Sequence, residues 1–333
     1  MKKIGIGVIG AGFMGSMHAK ILNNLPNVNL VGIADLNTAK SKELAESLGI
    51  KAFKDYHAML KEKEIEAVSI CVSDNNHLKP TVDACKAGKH ILLEKPIASD
   101  LEEAETIVKE AKKNKIRLTV GHLLRLDPRY YSLRKNVDSG KIGYPLSIFT
   151  QRNSPITDGP ARYGSKGNLT LHVAVHDVDL ILWVMQKKIR RIYAEHVSIA
   201  LKKLNIEDAI FVTLKFEDGS IGSMHYNWAL PKSFPTHIDA KMQVIGTKGY
   251  ASVDFAEQGL TICGEEGYQW PDVIHWPEIN GIIKGDLHEE LVSFVDALVN
   301  KKEFIITADE SFEAVKIALA INESLKKEKV INL

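Results

Sequence analysis

Along the first 120 residues, short apolar runs alternate with stretches of helical periodicity. Ile4–Ile9 is a short apolar run, and residues 13–25 space their apolar positions as a helix does, up to the stop at Pro26. Val28–Ala34 is strand-like and ends at Asp35; Thr38–Leu48 is helical, with Gly49 as its stop. A short strand near Ala52, a helix over 56–61 and an apolar run over 67–72 follow. Residues 79–87 read as helix before Gly88, and His90–Leu93 as strand. Ser99 and Asp100, with Glu102 and Glu103 three residues on, mark a capped helix running to about Asn114, and 116–120 closes the series. Six strands separated by five helices predict a parallel, doubly wound sheet.

The pattern changes after Gly121. Asp127-Pro128 starts a helix that ends near Gly140, and strand patterns then dominate: 146–152, 192–199, Ala209–Phe216, 220–228, 237–245 and 250–255. Asp218-Gly219 is a hairpin signal, and residues 246–249 form a second turn. One long helix over 169–186 interrupts the meander, and helices near 287–299 and 311–326 finish the chain. The expected architecture is α/β: a doubly wound domain over 1–122, then an α+β domain over 123–333 with a large, mostly antiparallel open sheet.

Composition narrows the function. Lys and Arg number 43 against 42 Asp and Glu, a net charge of +1, which removes the electrostatic argument for a nucleic-acid or membrane-surface binder. No apolar stretch approaches the ~18 residues of a membrane span. Cys71, Cys85 and Cys263 form no CxxC pair and no disulfide framework, so a reduced, cytoplasmic setting is expected. Lys2 and Lys3 before the apolar segment 4–17 imitate a signal peptide, but the five glycines within it argue for a strand and a tight turn.

Gly10-Ala11-Gly12-Phe13-Met14-Gly15 is GxGxxG placed between strand and helix, and Asp35 follows 20 residues after Gly15 at the end of the second strand. That combination is the dinucleotide-binding fingerprint. Gly10 permits the turn, Gly12 lets the pyrophosphate approach, Gly15 lets helix and strand pack, and the helix N-terminus faces the phosphates. Asp35 suits the adenosine ribose hydroxyls and repels a 2′-phosphate. No arginine follows closely, so NAD is expected rather than NADP.

With that fingerprint, residues 87–96 (AGKHILLEKP), His77, Gly121-His122, Arg125, His176-Asp177-Val178-Asp179 and the closing segment 308–333 closely resemble the Gfo/Idh/MocA family of sugar and inositol dehydrogenases. The resemblance spans nearly the whole chain. It implies a Rossmann domain and an open-sheet domain, with nicotinamide and substrate between them. It also implies Ser73, His77 and Glu94 in the cofactor site beside Phe13 and Met14. The resemblance further implies that Lys95 holds the reacting hydroxyl and the nicotinamide ribose, that His176 takes the hydroxyl proton, and that Arg125 and Asn153 contact the substrate. Lys95 lies at the carboxyl end of a parallel strand, where open α/β sheets bind ligands. Pro96 allows the preceding bond to be cis.

His172 departs from the family, whose inositol dehydrogenase-like members carry Asp four residues before the proton-accepting His. His172 and His176 are four apart and share a face of a regular helix, so a coupled imidazole pair is expected. No third metal ligand is identifiable among His18, His225 and His237, and no metal is expected. The expected activity is oxidation of a secondary hydroxyl of a cyclic polyol or sugar. An NAD-dependent glycosidase working by transient oxidation and a non-enzymatic NAD-dependent regulator are the rivals. Apolar positions on the second sheet's open face point to a homodimer or homotetramer.

Overall fold

The computed structural model describes residues 3–256, 258–265 and 267–333. The chain forms two compact units. The first holds 1–126 and 275–315, and the second 127–274 and 316–333. The first crossing falls close to the expected boundary at 122. The C-terminal stretch divides between the units, which the uniform α+β reading of 123–333 does not anticipate.

In the first unit, strands β1 (Ile4–Ile9), β2 (Val28–Ala34), β3 (Lys51–Phe53), β4 (Ala67–Ile70), β5 (His90–Leu93) and β6 (Leu118–Val120) form one sheet, order β3-β2-β1-β4-β5-β6. Every ladder in it is parallel. Between the strands run α1 (Phe13–Asn24), α2 (Thr38–Leu48), α3 (Tyr56–Leu60), α4 (Leu78–Lys86) and α5 (Leu101–Lys113). β1 and β4 are buried at every position, as expected of strands covered on both faces. Asp100 caps α5 by accepting from the Glu103 amide at 2.9 Å, which accounts for the start that the sequence marks.

The second unit opens with α6 (Pro128–Asp138), strand β7 (Pro145–Pro155) and the short helix α7 (Gly159–Tyr163). The expected helix over 169–186 begins as a wide π turn over Thr170–Ala174 and continues as α8 (Val175–Met185). Strands β8 (Ile189–Val197), β9 (Ala209–Phe216), β10 (Ile221–Leu230), β11 (Asp239–Gly246) and β12 (Tyr250–Asp254) follow, then a hairpin of β13 (Ile262–Gly264) and β14 (Gly267–Gln269). In the first unit's C-terminal portion lie β15 (Glu278–Ile279), β16 (Ile282–Ile283) and α9 (Asp286–Val299); the division between the units falls inside α10 (Ala308–Lys327), and β17 (Ile331–Asn332) ends the chain.

The large sheet has the order β12-β11-β7-β10-β9-β8-β17. Its ladders are antiparallel apart from β7 with β10, so the sheet is mixed. Burial alternates from Ile210 along β9 and through Trp228 along β10, one face forming core and the other carrying Phe211, Thr213, Ile221 and Ser223. Gly219, at φ +93°, makes the turn between them. Among the described residues, no helix is long and apolar enough to cross a membrane.

Candidate active site

β1 ends in the glycine turn. Gly10 sits at φ +105°, and a Cβ there would lie 2.5 Å from the Cys71 carbonyl. A Cβ on Gly15 would meet the Gly10 carbonyl at 1.9 Å, so only glycine lets α1 pack onto the turn. Gly12 caps α1 without a side-chain hydrogen bond, no acidic residue lies in the first turn, and nothing lies within 4 Å of the place its Cβ would fill. An open glycine at a helix N-terminus fits a pyrophosphate. Asp35 is tied to this turn: its Oδ2 accepts from the Ala11 amide and its Oδ1 from the Asn37 amide, each at 2.6 Å. Each oxygen retains a second lone pair for a ribose hydroxyl.

Phe13, half exposed, meets Trp276 edge-on with centroids 5.7 Å apart, while Met14 is half-buried. Ser73 accepts from Asn76 Nδ2 at 2.7 Å at the start of a single turn. The Lys95–Pro96 bond is cis, and Lys95 is partly exposed.

Two residues expected at the cofactor are buried. His77 is fully buried, with Nδ1 2.8 Å from the Pro96 carbonyl and Nε2 3.1 Å from the Val72 carbonyl; burial pushes its pKa down despite both carbonyls. It braces the Lys95-Pro96 turn. The Glu94 carboxylate is likewise buried, with Oε2 accepting from the Lys95 amide at 3.3 Å and Oε1 3.1 Å from His18 Nε2. Arg125 also differs from expectation. It is 1% exposed, and its Nη1 pairs with Glu310 Oε1 at 2.8 Å.

In the second unit His176 is the second residue of α8 and partly exposed. Asp177 turns into the core, where Arg152 grips it through Nε (2.9 Å) and Nη2 (3.1 Å). This accounts structurally for one acid of the cluster that the sequence singled out. The helix that carries both histidines is not regular throughout: His172 lies in the π turn and His176 at the start of α8. His172 lies flat on Tyr163, with centroids 3.9 Å apart and planes 12° apart, and its Nδ1 accepts from the Asn168 amide at 3.1 Å. Buried Trp228 extends the stack, 6.2 Å from Tyr163. Asn153, at the end of β7, donates through Nδ2 to Asp239 at 2.9 Å, while its buried Oδ1 has no hydrogen-bond partner among the described residues.

A third grouping was not foreseen. The sequence offers His18 only as a third ligand beside His172 and His176, with no carboxylates in view. In the structure His18 of α1, Glu94 after β5 and Glu290 of α9 converge, all buried, with one ligand atom from each within 4.8 Å of the others. Nearly 200 residues separate Glu94 from Glu290, and no local pattern joins them. The Trp276 ring and the Asp239 carboxylate were also missed, since both sit in segments without a motif.

Residues 4–122 match the model of an oxidoreductase family with an NAD-binding Rossmann fold, and residues 130–252 match the GFO/IDH/MocA C-terminal domain. The chain is 25% identical to the myo-inositol 2-dehydrogenase of Thermotoga maritima over 98% of each chain. It is also 25% identical to the NAD(+)-dependent scyllo-inositol 2-dehydrogenase of Bacillus subtilis, covering 96% of this chain and 93% of that one. Among solved structures, the scyllo-inositol dehydrogenase of Lactobacillus casei with bound NAD(H) and scyllo-inositol superposes with a TM-score of 0.86 at 25% identity, over 99% of each chain. The glycine cradle, the Asp35 tie and the paired domain matches agree: the chain is an NAD-binding oxidoreductase of the GFO/IDH/MocA family.

Proposed function

We propose that this protein oxidises a secondary hydroxyl of a cyclic polyol, inositols foremost, with NAD rather than NADP as acceptor. The observation that carries the reading is the retention of both reactive groups on the elements that suit them: Lys95 at the carboxyl end of β5 in the NAD-binding unit, and His176 in the first turn of α8. NAD supplies the hydride acceptor. Lys95 hydrogen-bonds the reacting oxygen, His176 accepts its proton as the C–H hydride leaves, and a ketone results. The unpartnered Oδ1 of Asn153 suits a donor hydroxyl on the same substrate. Related chains named for inositols support this substrate class.

A panel of inositols, free sugars and nucleotide sugars, read by NADH absorbance, tests the reading. Lys95→Met and His176→Ala should each lower kcat by ~10²-fold or more while NAD binding persists. Near-normal turnover in either variant removes that residue from the reaction. Sugar release without net NADH replaces the dehydrogenase by a glycosidase of the same fold. We further propose that the open face of the large sheet joins copies of the chain, since Phe211, Ile221 and Ile245 lie on it 44–59% exposed.

A further inference from the structure

The cluster of His18, Glu94 and Glu290 lies outside every role assigned above. All three side chains are buried, and burying a charge is costly unless it is paired. Glu94 is well supplied, by the Lys95 amide on Oε2 and His18 Nε2 near Oε1. His18 is held on its other nitrogen by Ser69 Oγ at 2.8 Å, with Cys71 Sγ 3.5 Å away. Both oxygens of Glu290, by contrast, have no hydrogen-bond partner among the described residues, although one lies within 4.8 Å of the Glu94 and His18 atoms. The floor of the cluster is Gly121 at the end of β6, where a Cβ would lie 3.3 Å from Glu94 Oε1 and 3.5 Å from Glu290 Oε2.

Two occupants satisfy such a cluster, a divalent cation or a proton. The cation needs His18 neutral, because an imidazolium has no lone pair to offer. Burial does oppose charge on His18, but the Cys71 sulfur and the Glu94 carboxylate outweigh it and raise its pKa well above the ordinary value. On Glu94 burial is likewise outweighed by His18, Lys95 and His77, and its carboxyl is held low. At Glu290 the nearby His18 does not win. Burial and the Glu94 charge push it up to about 8, His18 opposing only weakly. The groups at hand are His18 from α1 with Cys71 3.5 Å from its ring, Glu94 after β5 with the Lys95 amide on its Oε2, His122 next in the chain to Gly121, and Asp286 one turn earlier on α9.

We propose that Glu290 is a positioning residue for Lys95: it stands as a neutral acid sharing its proton with Glu94, directly or through one water, so that Glu94 keeps a single negative charge between His18 and the lysine. When that proton leaves, two carboxylates repel across the buried cluster, and the segment carrying Lys95 loses its fixed seat. The proposal rests on the role given to Lys95 above and adds a residue that the motif does not contain.

Difference infrared spectroscopy of the whole protein across pH 6–10 reads the proton without any substrate. Wild type is expected to show the carbonyl stretch of a buried carboxylic acid, disappearing near pH 8, and Glu290→Gln to lack it. In the same variants, Glu290→Ala is expected to lower kcat by about 10-fold or more with NAD affinity little changed. Glu290→Gln, an uncharged isostere, is expected to rescue turnover and to lose the alkaline decline of kcat/KM that wild type shows. A carboxylic acid band that survives in Glu290→Gln, or an alkaline decline unchanged in it, overturns the proposal. So does elemental analysis finding one equivalent of divalent metal in wild type that Glu290→Gln lacks. If no polyol is oxidised but the band behaves as described, the substrate reading fails and the shared proton stands.

Discussion

Arg152→Met is the sharpest test of how the His176 turn is held. Arg152 and Asp177 are 6% and 0% exposed and meet through two hydrogen bonds, so α8 is fastened to β7 one residue beyond His176. At Asp177 burial outweighs the guanidinium and raises the carboxyl above its usual range, yet Arg152 stays charged and the pair is ionic. Removing the guanidinium leaves a buried carboxylate facing Tyr226 alone, at a cost of about 3–5 kcal/mol. For a unit of this size that is about 6–20 °C in melting temperature. The double variant Arg152→Met/Asp177→Leu has no charge left to strand and is expected to recover most of the loss. The sign with pH follows from the raised carboxyl: the folded state holds its proton more tightly than the unfolded state. The defect of Arg152→Met therefore shrinks as pH falls toward the unfolded carboxyl range and is full at neutral pH. Urea titration followed by fluorescence measures it, because Trp183, Trp228 and Trp270 all lie in this unit. A single variant costing under about 1 kcal/mol, or a double variant as weak as the single, refutes the argument.

Asp35→Ser should raise KM for NAD by about 10-fold or more and narrow the preference for NAD over NADP, read from initial rates with both cofactors, because a charged acceptor is lost. His172→Asp removes the ring stacked on Tyr163 and places a carboxylate in its stead. The acid limb of kcat/KM for oxidation should move to higher pH, and a limb that stays put counts against any link between positions 172 and 176. The raised carboxyl of Glu290 makes stability fall as pH rises from about 4.5 to about 8, by roughly 3–6 kcal/mol in all; Glu290→Gln should flatten that part of the urea-midpoint profile. Sedimentation of wild type at micromolar concentration should give a dimer or tetramer, and Phe211→Asp on the open sheet face should shift it toward monomer.

The doubly wound sheet was legible because its signals are local. Ile4–Ile9, Val28–Ala34 and His90–Leu93 begin and end as the apolar runs do, and Asp100 caps where the sequence places a cap. The glycine turn was equally legible, since Gly10 and Gly15 answer steric demands within the turn and from its neighbouring strand, and Gly12 leaves the helix N-terminus open. The first turns of the helix over 169–186 were not. Periodicity does not distinguish a π turn from an α turn over five residues. Nor does a motif reveal which of its members face the ligand. Glu94 and His77 belong to the recognisable pattern, but their partners are His18 and two carbonyls, fixed by tertiary packing. Arg125 likewise finds Glu310 about 185 residues away.

The return of residues 275–315 to the first unit governs the order in which this protein can be made. When Leu126 leaves the ribosome, the groups that complete the β6 side are still unsynthesised. The Ala297 carbonyl that Arg117 binds, the Ile306 carbonyl that Thr119 binds and the carboxylate that Arg125 binds all come later. At ordinary elongation rates of ~5–20 residues per second, the wait is about 10–40 s. Through that interval Arg117 and Arg125 are without their acceptors, whereas the strands β7 to β12 are complete in sequence before α9 exists. A fragment ending near residue 126 consequently lacks part of its compact unit, although its motif is whole. Any attempt to borrow this cofactor-binding unit for another protein must carry the segment 275–315 with it.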